Sequence, residues 1–125
     1  MKRINIETIP IEEMRYDTVG DYYEESGIRQ FRIADMKNED YEFLVLIHEM
    51  IEEHLTRKRG ISEESITAFD VEFEKNRKEG NIDEPGHDIN APYHKEHVFA
   101  ECIERLIAQE LGVDWKKYDD TVNTL

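Results

Sequence analysis

The chain has 125 residues, 37% of them charged and 38% hydrophobic, with a formal net charge of -14. That length suits a single domain with a modest core. The acidic balance excludes a generic phosphate-binding surface, because nucleic-acid footprints are basic; it favours cations or a protein partner with a basic surface, and no nucleic acid.

Met1-Lys2-Arg3 leads into Ile4-Asn5-Ile6-Glu7, with no apolar stretch long enough for a signal peptide or a membrane span. A cytoplasmic protein with no membrane partner is the expectation. Residues 1–36 read as β-rich. Ile4 to Ile11 alternate around Pro10 as a short edge strand or extended arm. Tyr16 to Tyr23 and Ile28 to Ile33 read as a hairpin turning near Ser26-Gly27. Phe31 breaks the period-two alternation, which implies a bulge beside it, and Asp21 to Glu25 also fit a helical turn capped by Gly27.

A helix is predicted over 38–59, with Asn38 as N-cap, Glu39 and Asp40 in the first turn, and Arg57-Lys58-Arg59 before Gly60. Leu44, Ile47, Ile51 and Leu55 set its apolar arc, and Phe43, Val45, Leu46 and Met50 make its first half apolar nearly all round, as in a buried helix. His48 and Glu52, four apart, stand one above the other, while Glu49 and Glu53 fall on the wetter side. A second helix over 62–78 starts at Ser62 and carries the stripe Ile66, Phe69, Phe73 with Asp70 on its flank. Residues 79–90, rich in Gly, Pro, Asn and Asp, form a long loop bearing Asp83, Glu84, His87 and Asp88.

A third helix over 91–111 opens with Asn90 as N-cap and Pro92 near its start. Its buried face reads as Val98, Phe99, Cys102, Ile103, Leu106 and Ile107, with Cys102 a small core residue that has no disulfide partner. His94, His97 and Glu101 gather on the opposite edge, and Glu96 falls inside the apolar arc, where a carboxylate needs a partner. The tail folds back through Trp115 and frays from Thr121. The resulting architecture is α+β, a single domain over 1–125 with an N-terminal hairpin or small antiparallel sheet packed on a three-helix α part.

If the first and third helices pack against each other, His48 and Glu52 meet Glu96 or His97. Those four residues then form a mixed nitrogen and oxygen ligand set for a divalent metal, with zinc, iron and manganese all suited to it. The run His48-Glu49-Met50-Ile51-Glu52 on a buried helix after a strand resembles the active-site helix of zincin-type metallopeptidases. The resemblance implies His48 as a metal ligand, Glu49 as catalytic general base and the second-ligand position at Glu52, where that family has histidine. The pair Glu49 and Glu52, followed by Asp70, Glu72 and Glu74, is similar to all-α nucleoside-triphosphate pyrophosphatases. That likeness implies carboxylates holding magnesium. A third reading is non-enzymatic, an acidic accessory or partner-binding protein whose His and Glu residues form a satisfied polar core.

Overall fold

The hairpin turns where the sequence places it. Strands β2 (Gly20–Glu25) and β3 (Ile28–Ala34) pair antiparallel from Gly20↔Ile33 to Glu25↔Ile28 in a computed structural model that describes residues 3–125. Met1 and Lys2 lie outside the described residues. Ser26 and Gly27 both take positive φ, 54° and 77°, the type I′ geometry whose twist matches that of the strands it joins. The register is one-to-one throughout, so no bulge accompanies Phe31 and no helical turn replaces β2. Phe31 and Ile33 share the face turned to the core, and the residue out of step is Ile28, half-exposed beside the turn.

Strand β1 (Ile4–Ile9) runs parallel to β3, from Ile4↔Arg29 to Ile9↔Ala34, giving the order β1-β3-β2. The expected antiparallel sheet is therefore mixed. Because β3 inserts between β1 and β2, residues 10–19 must cross from one sheet edge to the other, with a single 3-10 turn at Ile11–Glu13 on the way.

Four helices complete the α+β fold. Helix α1 (Glu39–Lys58) starts at Asn38, whose side chain accepts from the Tyr41 amide at 3.1 Å, and it ends on Arg57 and Lys58, complementing its dipole at both ends. Helix α2 (Glu63–Lys75) is capped by Ser62 and stops short of residue 78. Helix α3 (His94–Leu111) begins after Tyr93, later than Asn90 and Pro92 suggested, and closes at Gly112 in the left-handed conformation. Helix α4 (Trp115–Thr124), capped by Asp114, stands where the sequence reads as a fraying tail. Its Tyr118 is buried and packs edge-on against Tyr41 and Trp115, each with ring centroids 5.2 Å apart. No helix among the described residues is long and apolar enough to cross a membrane.

The main core joins Ile33 of β3 to Leu44 and Val45 of α1, Ala108 of α3 and Tyr118 of α4. Helices α1 and α3 run antiparallel, so that Leu44 lies near Ala108, His48 meets Glu104, Glu52 meets His97 and Arg59 meets Glu96. The buried face of α3 is turned nearly opposite to the way its bulkiest residues predict, and that of α1 by roughly a quarter turn. Helix α3 buries Glu96, His97, Ala100, Glu104 and Ala108, while Val98, Phe99, Cys102 and Leu106 are exposed. Helix α1 buries Leu44, Val45, His48, Glu52, Glu53 and Thr56; Ile47, Ile51 and Leu55 are only half-buried. Ala100 and Ala108 explain the inversion: with no side chain beyond Cβ, they let the two helices approach closely, and the polar residues between them are carried inside.

Glu53, expected to solvate the helix, is 1% exposed. Arg29 Nε at 3.0 Å and Arg57 Nε at 3.1 Å share its Oε1, and Arg29 also reaches Glu63 at 3.0 Å. That guanidinium ties β3 to α1 and to the start of α2.

Candidate metal centre

One turn of α1 sets His48 above Glu52, and the first turn of α3 brings His97 against both. Glu52 Oε2 lies 3.1 Å from His48 Nε2 and 2.9 Å from His97 Nδ1, and the two ring nitrogens are 3.1 Å apart. All three residues are buried. Tyr22 of β2 donates its hydroxyl to Glu52 Oε1 at 3.0 Å, fixing the carboxylate from the sheet side.

The far nitrogens of the two rings are also occupied. His48 Nδ1 sits 2.7 Å from Glu104 Oε1, and His97 Nε2 sits 2.9 Å from Glu84 Oε2. Glu104 in turn accepts from the Tyr118 hydroxyl. If each ring spends its one N–H on the outer carboxylate, the inner nitrogens and Glu52 Oε2 aim three lone pairs at a common point. Such a convergence is repulsive until protons or a cation fill it. A tetrahedral ion with bonds of about 2.0–2.1 Å separates its ligand atoms by about 3.3 Å, so the triangle needs to open by only a few tenths of an ångström.

Protonation behaves as this geometry requires. Burial opposes charge on Glu52, but hydrogen bonds from His48 and His97 outweigh it and hold the carboxyl at about 2. Burial likewise opposes charge on His97, yet Glu52 and Glu84 raise it to about 9. His48 is raised well above the ordinary histidine value against its burial, by Glu104 and Glu52. Without metal, extra protons on the two rings satisfy the cluster.

Glu49 points into an adjoining cavity of about 400 Å³, lined also by Tyr16, Tyr22, Asp70 and Tyr93. Burial, then the nearby charge of Glu52, push its carboxyl well above the usual carboxylate range. Asp70 hydrogen-bonds Tyr93 and is pushed up to about 6, chiefly by burial. Two glycines make room for the key side chains. A Cβ on Gly20 would stand 2.7 Å from Glu49 Oε1, and one on Gly86 would stand 2.3 Å from Cγ of the His97 ring. Gly86→Ala is therefore expected to displace the imidazole and weaken zinc affinity at least about tenfold, as supporting-residue changes at metal sites do, with helix content by circular dichroism unchanged.

Of the residues singled out in the sequence, His48, Glu52 and His97 meet, with Glu49 beside them facing the cavity. Glu96 does not join them. Its carboxylate turns to Arg59, with Nη1 to Oε2 at 2.6 Å, which supplies the partner a buried acid needs. The neighbouring pair sorts differently as well: His94 Nδ1 contacts the Gly86 carbonyl at 3.0 Å, and Glu101 meets His87 at 3.1 Å. Glu84, His87 and His97 make an outer group on the far side of the His97 ring.

The sequence shows Glu84 as one donor of the 79–90 loop without tying it to the helices, and gives Glu104 and Tyr22 no part in the site. Glu104 had a signal, since His97, Glu101 and Glu104 follow i, i+4, i+7 spacing along one helix face. Glu84 lies in a loop and Tyr22 on a strand, where no periodicity points toward α1. No family model, curated protein or solved structure matches the chain.

Proposed function

We propose that this protein binds one divalent metal ion, zinc, iron or manganese, through His48 Nε2, His97 Nδ1 and Glu52, and uses Glu49 as general base in a metal-dependent hydrolysis. The observation that carries the reading is the paired arrangement of the two imidazoles. Each offers a nitrogen to the same Glu52 oxygen while a buried or half-buried carboxylate, Glu104 or Glu84, holds the opposite nitrogen. Metal-ligating histidines are held in this way, because the outer hydrogen bond fixes the tautomer and strengthens the ligand.

Three protein ligands leave a position open toward the cavity, as catalytic rather than structural sites do. A bound ion there would lower the pKa of water. Glu49 faces the same cavity, and burial makes its carboxylate, once ionised, a stronger base than a solvent-exposed one. The order His48-Glu49-x-x-Glu52 resembles the zincin pattern in sequence alone, with glutamate where that family has histidine, and the proposed third ligand comes from α3. Nitrogen ligands argue against the all-oxygen shell that magnesium prefers. The cavity's cations, Arg15 and Arg77, are already paired with Asp21 and Glu74, so an uncharged or cationic substrate fits this acidic lining better than a phosphate.

Zinc titration of chelator-treated protein tests the reading. One ion per chain is expected for wild type and for Glu96→Gln, and His48→Ala and His97→Ala should lose it. Glu49→Gln should keep the ion and lose hydrolysis. If both histidine variants bind zinc as wild type does, the ligand assignment is wrong, and a cluster satisfied by protons in a non-enzymatic protein takes its place.

A further inference from the structure

The apolar residues left outside by the rotated faces of α1 and α3 form a surface of their own. Phe43 is 44% exposed, Phe99 50% and Leu106 61%, and half-buried Ile47, Met50, Ile51 and Ile103 fill the space between them. On α1, positions 43, 47, 50 and 54 follow helical spacing on the side opposite Val45, Glu49 and Glu52, so this surface faces away from the cavity. Two adjacent helices, each about 10 Å wide and about 30 Å long, present roughly 600 Å², close to the ~800 Å² per partner of a stable interface.

The charges at the ends of this face identify what covers it. Among residues flanking the apolar stripe of α1, Glu39 and Asp40 stand at the start and Arg57 and Lys58 at the end, and all four are exposed. Laid antiparallel on a second α1 about an axis between positions 48 and 49, each acid meets a base. Residues eighteen apart share a flank of the helix, so Glu39 pairs with Arg57 of the partner subunit and Asp40 with Lys58 of the partner subunit, while Ile47 meets Met50 of the partner subunit and Phe43 covers His54 of the partner subunit. A stripe that complements itself in this manner is what a two-fold interface requires.

We propose that the chain forms a two-fold homodimer through α1 and α3, with the two α1 helices antiparallel and the four helices making a bundle. The proposal is independent of the metal reading, since its residues lie on the other side of α1. Light scattering and sedimentation across a wide dilution range should give twice the 14.9 kDa chain mass. Phe43→Glu and Leu106→Glu, both exposed in the single chain, should each raise the dimer dissociation constant at least tenfold while helix content and zinc stoichiometry stay at wild-type values. Asp40→Lys and Lys58→Glu should each weaken the dimer, and the double variant Asp40→Lys/Lys58→Glu should restore it. A chain mass of one subunit at every concentration overturns the proposal, as does a dimer indifferent to Phe43→Glu and Leu106→Glu. Failure of the double reversal to rescue overturns the antiparallel register.

Discussion

Glu52→Ala is expected to destabilise the metal-free protein by about 3–5 kcal/mol, the range for removing one partner from a buried ion pair, and to abolish zinc binding. Glu52 touches both imidazoles through Oε2 and the Tyr22 hydroxyl through Oε1. Its loss leaves the inner nitrogens of two cationic rings 3.1 Å apart with no carboxylate between them. Urea unfolding in the presence of a chelator measures the first effect, and calorimetric zinc titration the second. Glu52→Gln separates the two, because it keeps the shape and an acceptor oxygen but not the charge. It should recover part of the stability and none of the tight binding. Wild-type stability for Glu52→Ala would mean that the cluster is not the polar centre of the fold.

The second large effect is a pair of opposite pH dependences. In the metal-free protein the folded pKa of His97 is raised from 6.5 to about 9, so its contribution to stability is fully present below about pH 6.5 and is lost as the pH rises through 9. The magnitude is about 3 kcal/mol. Glu52, lowered from 4.5 to about 2, contributes above about pH 4.5 and loses that contribution as the pH falls through 2. These two groups alone would leave the metal-free protein most stable between about pH 4.5 and 6.5, and Glu49 and Asp70, both raised by burial, shift the optimum to the acidic end of that range. Zinc must displace the ring protons, so its affinity runs the other way, rising about one to two decades per pH unit through neutrality. Denaturation midpoints and zinc affinities measured across pH 5 to 9 check both slopes. A zinc affinity flat over that range would show that the histidine nitrogens are not the ligands.

What the sequence revealed and what it hid divide along a physical line. Local signals were legible: the cap at Asn38, the cationic end of α1, the hairpin at Ser26-Gly27, and the stacking of His48 on Glu52 all depend on residues a few positions apart. Pairings distant in sequence were not. Nothing local to Ile4–Ile9 says that it lies parallel to β3, and nothing in residues 79–90 says that Glu84 reaches across to the His97 ring. The largest misreading, the buried face of α3, came from weighting residues by hydrophobicity. Ala100 and Ala108 carry little of it, yet their smallness governs how closely the helices pack, and this draws Glu104 and His97 inward while Phe99 and Leu106 stay out. Glu96 was correctly read as an acid needing a partner, but that partner is Arg59.

The hold that residues 84–86 have on His97 has a kinetic consequence. Glu84 grips one edge of the ring and Gly86 lies flat against it, so the His97 imidazole joins His94 and His87 in fastening the segment between α2 and α3 to α3 itself. When an ion immobilises that ring, the segment should become a poor substrate for trypsin at Lys75, Arg77 and Lys78. Cleavage rate there would then report occupancy of the centre without any assay of chemistry.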